Sequence, residues 1–259
     1  MLIAVIGGTG IDEMHGLASG KESVVSTAFG DTTLIDGEIG GRAVVFLPRH
    51  GPDHCVPPAL INSRSQIAAL KKIGAHSVIG VSAVGSLTAA LQPGALAVLG
   101  DFIDLTRRKE RTFFDDPGGP VVHTDLSQPY CPRVSGALAR ACEAAEADFK
   151  TDAVYIGVDG PRYETPAEIR LYASWGGHVI GMTNVPEVVL AREAGLCYGA
   201  VAVVTNLAAG LSPTPLNHDE VRAAVLSAGE SLRAVLEVSV SLLPDDAGCN
   251  CAANASLDV

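Results

Sequence analysis

Short apolar runs alternate along the chain with longer segments in which apolar residues recur every three or four positions. The apolar runs predict strands at Leu2–Ile6, Ser77–Val81, Ala95–Leu105, Asp152–Val158, Val179–Met182 and Cys197–Thr205. Runs on either side of Gly40-Gly41 predict a strand pair at Thr33–Ile39 and Ala43–Leu47. The helical period predicts helices at Pro58–Lys72, Arg133–Ala147, Thr165–Trp175, Pro186–Ala194 and His218–Leu243. This alternation predicts an α/β fold, a single domain in which helices flank a mixed, twisted β-sheet.

Two segments lie outside the alternation. Arg107–Pro132 is long and polar, and such loops in compact domains tend to be functional or to bridge subunits. The residues after Leu243 resemble a loose tail. We therefore predict one domain over residues 1–243 and a C-terminal tail over residues 244–259.

Composition and charge narrow the class of protein. The 259 residues are 47% hydrophobic and 18% charged, as in globular proteins. A net charge of −11 argues against nucleic-acid partners, because phosphate backbones attract Lys and Arg. The chain has no apolar stretch of about 18 residues that would predict a membrane helix. Its apolar N-terminus runs at once into glycines, as a strand does and a signal peptide does not, so we expect a cytoplasmic protein.

The cysteines are spread along the chain. Their spacing suits ordinary cytosolic thiols better than a disulfide framework, and no ligand-spaced His/Cys group predicts zinc, so we predict no metal site. The six are Cys55, Cys131, Cys142, Cys197, Cys249 and Cys251.

Small, hydroxyl or cationic residues follow four of the predicted strands: Gly7–Gly10, Arg49–Gly51, Ser82–Ser86 and Met182–Asn184. Backbone N–H groups of a glycine turn bind anions, and an Arg–His pair can clamp an oxyanion. Each motif alone is also explained by a tight turn or a solvated side chain. Because α/β sheets bind ligands at strand ends, the combination predicts an inorganic phosphate site. A dinucleotide is not predicted, since Glu13 stands where that fingerprint needs a glycine.

Glu164 and Asn206 suggest what else could bind. A carboxylate only accepts hydrogen bonds, whereas an amide both donates and accepts. A 6-oxopurine offers a donor at N1–H and acceptors at O6 and N7, which this pair would match. The alternative is that Glu164 caps the helix starting near Thr165 and Asn206 merely ends a strand.

Together these segments resemble the trimeric purine nucleoside phosphorylase and methylthioadenosine phosphorylase family, in family order from residue 2 to about residue 240. The resemblance rests on Gly7–Gly10, Arg49–Gly51 with His54, Ser82–Leu87, Gly160–Thr165, Gly181–Glu187 and Thr205-Asn206. It implies a nucleoside phosphorylase-like fold, a homotrimer, and cleavage of a nucleoside by phosphate into a purine and a pentose 1-phosphate. It implies no cofactor, because inorganic phosphate is a co-substrate.

The resemblance also implies roles for individual residues. The implied phosphate ligands are Thr9, Arg49, His50, Ser82, Ala83 and Thr183. The implied nucleoside contacts are Met182 at the ribose, Tyr163, Glu164, Asn206, Leu207 and Ala208 at the base, His218 at the 5′ end, and His123 from a neighbouring subunit. Asn206 and His50 are the implied catalytic residues, with Asn206 donating a hydrogen bond to N7 of the leaving purine.

Within the family, two features favour 6-oxopurine nucleosides such as inosine and guanosine. Methylthioadenosine-type members carry a small residue in place of Glu164 and aspartates in place of Asn206 and Ala208. His218 suits a free 5′-hydroxyl, although it could instead be a solvated helix residue. The pair Cys249 and Cys251 occurs in some methylthioadenosine-type relatives, so phosphorolysis of methylthioinosine or methylthioadenosine stays an alternative. A nucleoside hydrolase and a purine-binding protein without activity are two others.

Overall fold

A computed structural model describes residues 1–8, 20–51, 55–107, 111–211, 218–244 and 248–254. For residues 218–220, 222 and 254 it describes the backbone only. The predicted site residues Thr9 and His54 lie outside the described residues, and so does the side chain of His218.

The described part of the chain forms one nine-stranded sheet with six α-helices. The strands are β1 (Leu2–Gly7), β2 (Glu22–Thr27), β3 (Gly30–Ile39), β4 (Arg42–Pro48), β5 (Ala75–Ser86), β6 (Leu96–Asp104), β7 (Phe149–Gly157), β8 (Val179–Gly181) and β9 (Cys197–Leu207). The helices are α1 (Ser63–Lys72), α2 (Pro132–Ala144), α3 (Pro166–Ser174), α4 (Asn184–Glu193), α5 (His218–Ser227) and α6 (Gly229–Leu242).

The sheet is mixed and closes on itself at one end. Its order is β2-β3-β4-β1-β5-β8-β7-β6-β9, and an additional pairing joins β9 to β5. β1 runs parallel to β4 and β5, β3 runs antiparallel to β4, and β9 is parallel to β5 but antiparallel to β6. Strands β5 to β9 thereby form a ring, with β5 as its link to the open part of the sheet. The predicted α/β architecture is confirmed.

Helices bury both faces of the sheet. In β1, Ala4 and Ile6 pack into the cluster that includes Ile67 of α1 and Val188 of α4. Ile3 and Val5 face the other way and pack into the cluster that includes α2 and α6. Because strand side chains alternate between faces, burial on both sides requires the continuous apolar runs seen in the sequence.

Several element boundaries differ from prediction. The segment Ser82–Ser86 is not a turn, because it continues β5 and pairs with β8 and β9 on its two edges. The helix predicted from Pro58 begins only at Ser63, where the side chain of Asn62 caps it. The long C-terminal helix is two helices, α5 and α6, which meet at Ala228 just before Gly229, a weak helix former.

The edge strand Glu22–Thr27 was not predicted. It is mostly exposed, so it carries little of the apolar signal that marks the buried strands. Thr165 and Pro166 begin α3 as predicted, and Glu168 completes a reciprocal capping box with Thr165.

The segment after α6 is not a loose tail throughout. Cys251 begins a short 3₁₀ turn at Cys251–Asn254, is 2% exposed, and packs into the cluster formed by α2 and α6. The interpretation of this segment as a loose tail is therefore wrong for Cys251, whereas the domain boundary at residue 243 stays a prediction. Among the described helices, none combines the length and the apolar composition that crossing a bilayer requires.

Candidate active site

A cavity of about 410 Å³ opens at the carboxyl ends of β1, β4, β5, β8 and β9. Its volume lies within the range that small-molecule sites occupy. The cavity brings together most of the predicted site residues that the structure describes. These are Arg49, His50, Ala83, Tyr163, Glu164, Met182, Thr183 and Asn206.

Arg49 is held almost entirely by the protein, although it borders the cavity. Its side chain is 1% exposed and donates to both carboxylate oxygens of Glu187, with 3.1 Å between Nη2 and Oε2. Nη1 donates to the carbonyl of Val81 at 2.7 Å, and Nη2 lies 3.4 Å from the carbonyl of Ile6. Nη1 carries a second N–H and lies on the side of Gly8, which lines the cavity. That remaining N–H is the one that an anion in the cavity would meet.

Glu187 compensates the buried charge of Arg49. It is fully buried in the first turn of α4 and also accepts a hydrogen bond from the hydroxyl of Tyr198 at 2.7 Å. Burial lowers the pKa of Arg49, but the attraction of Glu187 outweighs it and raises the pKa above its usual value. Burial raises the pKa of Tyr198 well above its usual value, so this hydroxyl keeps its proton and donates. The guanidinium is thereby fixed in charge and in position.

Two glycines make room for the tyrosines of this network. A methyl group at Gly80 would overlap the hydroxyl of Tyr198, and one at Gly181 would overlap the hydroxyl of Tyr155. The Tyr155 hydroxyl accepts from the backbone N–H of Thr183 at 3.2 Å. These packing contacts connect β5, β7, β8 and β9 beneath the floor of the cavity.

His50 is oriented by its own loop. Its Nδ1 lies 2.8 Å from the carbonyl oxygen of Val56, which can only accept, so Nδ1 carries a proton. Nε2 lies on the side of Gly8, where a methyl group would come within 3.3 Å of it. In the neutral ring Nε2 is an acceptor, and in the imidazolium it is a donor. His50 can therefore take a proton from a bound acid or hold an anion once it is charged.

Thr183 places a helix end at the cavity. It lines the cavity, stands at the N-cap position of α4, and its side chain makes no cap hydrogen bond. A helix N-terminus favours negative charge, since its first N–H groups point outward and its dipole is positive there. Arg49, His50 and Thr183 all line the cavity, and each offers a group that suits an anion.

At the other end of the cavity Asn206 pairs with Gly85, four residues along β5 from Val81, which accepts from Arg49, and Glu164 lines the cavity too. Burial raises the pKa of the Glu164 carboxyl, and the nearby Glu168 carboxylate adds to the shift. The Asn206 side-chain oxygen accepts from the Thr205 hydroxyl at 2.9 Å, and its Nδ2 donates to the carbonyl of Leu207 at 3.1 Å. An amide nitrogen has two N–H bonds, so one is left for a ligand. This end offers an acceptor and a donor to a polar ring edge.

Four other predicted residues do not line the cavity. Ala208 is 1% exposed and packs into an apolar cluster with Ile180, and its neighbour Leu207 follows Asn206 on the other face of β9. The Ser82 hydroxyl is buried without a hydrogen-bond partner among the described residues. His123 is exposed in the long loop. Their roles in binding stay predictions.

Sequence reasoning missed the supports of the site. Glu187 lies in a segment that was recognised, but nothing in the sequence indicates that it pairs with Arg49 at a separation of 138 positions. Gly8 lines the cavity against both Arg49 and His50, whereas it was read only as part of a glycine turn. Val56 and Val221 also line the cavity. An apolar residue in a loop, as Val56 is, or in a helix, as Val221 of α5 is, carries no signal of its own for a binding site.

Known proteins are similar to this chain in sequence and in fold. The chain is 42% identical over 251 residues to a probable 6-oxopurine nucleoside phosphorylase of Dictyoglomus turgidum, covering 97% of this chain and 95% of that one. It is 38% identical over 254 residues to the 6-oxopurine nucleoside phosphorylase of Pyrococcus furiosus, covering 96% of each. A crystal structure of a methylthioadenosine phosphorylase from an antarctic soil metagenomic library superposes with a TM-score of 0.89 at 32% identity, covering 98% of this chain and 90% of that one. A model of the phosphorylase superfamily matches residues 2–241, and the chain belongs to this family.

Proposed function

We propose that this protein is a purine nucleoside phosphorylase that converts inosine or guanosine and inorganic phosphate into the free purine and ribose 1-phosphate. The observation that carries the proposal is the two-ended cavity. Arg49 donates to Val81 of β5 at one end, Asn206 pairs with Gly85 four residues further along β5 at the other, and His50, Thr183 and Glu164 line the same cavity. The names of the relatives above, 6-oxopurine nucleoside phosphorylases, support the same substrate class.

In the proposed reaction the bond between purine N9 and C1′ of ribose breaks, and its electron pair leaves with the purine. A phosphate oxygen forms the new bond to C1′, and the proton that the hydrogen phosphate loses neutralises the purine. The sugar passes through an oxocarbenium-like transition state, as in glycoside hydrolysis. The bound phosphate stabilises the positive sugar, and an N–H of Asn206 stabilises the negative purine at N7. The protein contributes positions and fixed dipoles, and the proposal requires no cofactor.

Glu164 and Asn206 also set the proposed base preference. The Glu164 carboxylate accepts from N1–H of a 6-oxopurine, and Asn206 donates toward N7. Adenine has no N1–H and carries an amino group at C6, so a carboxylate facing its N1 would meet a lone pair. The structure of the site supports 6-oxopurines for this reason.

The 5′ end of the nucleoside is where the second candidate function lies. His218 is the residue proposed to bind the 5′-hydroxyl, and it begins α5 near Val221, which lines the cavity. Phosphorolysis of methylthioinosine or methylthioadenosine is the alternative, and it is supported by the name of the structural relative.

Assembly and location belong to the same proposal. We propose a homotrimer in which the exposed His123 reaches the site of a neighbouring subunit. We also propose a cytoplasmic role in purine salvage. The six cysteines are all free thiols in the structure, as is usual in a reducing compartment.

A substrate panel tests the proposal. Purified protein is assayed for release of free base from inosine, guanosine, adenosine, methylthioinosine and methylthioadenosine, with and without phosphate. We expect inosine and guanosine to give the highest kcat/KM, and the reaction to stop without phosphate. Turnover of methylthioadenosine but not inosine would support the alternative, while base release without phosphate would indicate a hydrolase.

The raised pKa of Glu164 predicts a pH dependence of nucleoside binding. The carboxylate is the better acceptor for N1–H, and it is populated only above this raised pKa. We expect the KM for inosine to rise as the pH falls through that pKa. In Glu164→Gln the KM should be high and lack this acid limb.

Taking the ratio of wild-type to Glu164→Gln kcat/KM at each pH removes the titration of phosphate and of every other group that both enzymes share. The ratio is expected to increase with pH across the acid range and then to level off. A ratio that is constant with pH contradicts a base-reading role for this carboxylate.

A further inference from the structure

Four cysteines that are far apart in sequence meet at one point of the fold. Cys131 directly precedes α2, Cys197 begins β9, and Cys249 and Cys251 come from the C-terminal segment. Their sulfur atoms all lie within 4.8 Å of one another, and those of Cys197 and Cys249 are 3.3 Å apart. None of the four lines the cavity described above. The cluster is therefore separate from the proposed active site.

The donor set and its geometry match one kind of ligand. Four thiolates at tetrahedral positions are the usual ligands of structural Zn²⁺. A Zn–S bond of about 2.3 Å places neighbouring sulfurs at about 3.8 Å in a tetrahedron. The separation of 3.3 Å and the upper limit of 4.8 Å lie on either side of that value. Disulfide bonds would instead need sulfurs at about 2.0 Å, whereas the structure has all four as free thiols.

Burial encloses the cluster on most sides. Cys131 and Cys197 are each 1% exposed and Cys251 is 2% exposed, whereas Cys249 is half-buried. Such burial excludes water as a competing ligand, and the half-buried Cys249 leaves a path by which an ion can enter. With protein thiols at all four positions, the site has no open position for substrate, as is typical of structural sites.

The surroundings stabilise negative sulfur. Cys131 stands at the N-terminal end of α2, where the helix dipole favours a thiolate. The guanidinium of Arg133, two residues after Cys131, lies beside the sulfurs of Cys197 and Cys249. Arg133 thus brings a positive charge to a group that gains negative charge when it loses protons to a metal.

We propose that Cys131, Cys197, Cys249 and Cys251 bind one Zn²⁺ as a tetrahedral structural site that fastens the C-terminal segment to the domain. The ion displaces the thiol protons and joins three segments that the sequence separates widely. Arg133 supports the same junction, since it donates to the carbonyl of Pro244 at 3.2 Å and to the Ser77 hydroxyl at 2.7 Å. The proposal replaces the expectation of no metal site, which considered only spacing along the chain.

Metal analysis of the intact protein tests the site. Protein purified without chelators is analysed for zinc by inductively coupled plasma mass spectrometry, and we expect about one zinc ion per chain. Cys131→Ser and Cys251→Ser should each lower the bound zinc about tenfold or more. Cys142→Ala is the matched control, because Cys142 is buried in the same apolar cluster but is not part of the thiol group. It should keep its zinc.

A second measurement avoids the variants, should they fail to fold. Wild-type protein is stripped with a chelator under reducing conditions and titrated with Co²⁺, whose tetrahedral thiolate complexes absorb strongly in visible light. We expect saturation at one equivalent and displacement of Co²⁺ by Zn²⁺. The proposal is overturned if the reduced protein binds neither ion, if the double variant Cys131→Ser/Cys251→Ser keeps its zinc, or if metal-free protein isolated without reductant holds these cysteines as disulfides in its intact mass.

Discussion

Asn206→Asp is expected to lower kcat/KM for inosine by about 10²–10³-fold, the usual loss when one donor to a developing anion is removed. Asn206 has an N–H left for a ligand because its Nδ2 uses only one of its two N–H bonds, which it donates to the Leu207 carbonyl. Aspartate has no N–H to present. One of its oxygens would face the Leu207 carbonyl, which now accepts from the amide at 3.1 Å. The purine would lose its donor at N7, and the site would gain a second negative charge.

The same substitution should change which base is preferred. A second carboxylate suits the amino group of adenine, so activity on adenosine should fall less than activity on inosine. Measuring kcat/KM for both nucleosides at saturating phosphate provides an internal control for general loss of structure. If both activities fall by the same factor, Asn206 does not discriminate between the two bases.

Glu187→Gln is expected to lower the free energy of unfolding by about 3–5 kcal/mol, as when one partner of a buried ion pair is removed. Arg49 would stay buried at 1% exposure with no carboxylate to compensate its charge. The oxygen of a glutamine can accept a hydrogen bond from Arg49 or from Tyr198. Its NH₂ group would then face the other of these two donors. The loss is measured by chemical denaturation, followed by fluorescence or circular dichroism.

Inorganic phosphate should recover more of this stability in the variant than in the wild type. An anion beside Nη1 of Arg49 would compensate part of the positive charge that Glu187 compensates in the wild type. A ligand that binds only the folded state adds its binding free energy to the stability. Glu193→Gln is the matched control. Glu193 is a second buried carboxylate of α4, but it accepts from the backbone N–H of Phe113 at 2.8 Å. An equal loss in both variants, or an equal response to phosphate, contradicts the compensation argument.

The sequence predicted which residues line the site better than it predicted which residues hold them in place. Arg49, Thr183 and Asn206 were found because each follows or ends an apolar run, and the carboxyl ends of such strands meet at one edge of a sheet. The partner of Arg49 was not found, since contact between β4 and α4 depends on the topology of the whole sheet. The same applies to Cys131 and Cys197, which become neighbours only because the start of β9 lies beside the start of α2.

Boundaries failed for a different reason. The end of β5 near Ser86 is set by hydrogen bonds to β8 and β9, and small polar residues can be paired as readily as apolar ones. The break between α5 and α6 at Ala228 also gives no signal in the sequence, because the helical period of apolar residues continues through it. Local pattern therefore predicts the centre of an element, and pairing between distant segments decides where it stops.

The fit of Tyr198 against Gly80, and of Tyr155 against Gly181, has a consequence for how such a protein can change over generations. A larger residue at either glycine fits only if a smaller residue also replaces the facing tyrosine. Loss of the Tyr198 hydroxyl would remove a hydrogen bond from Glu187. The residues that support Arg49 can therefore be substituted only together with the residues that face them, which are distant in sequence. Glu164 and Asn206 face open space in the cavity and can be exchanged one at a time. Descendants of one ancestor can diverge in the nucleoside they accept while retaining the same co-substrate.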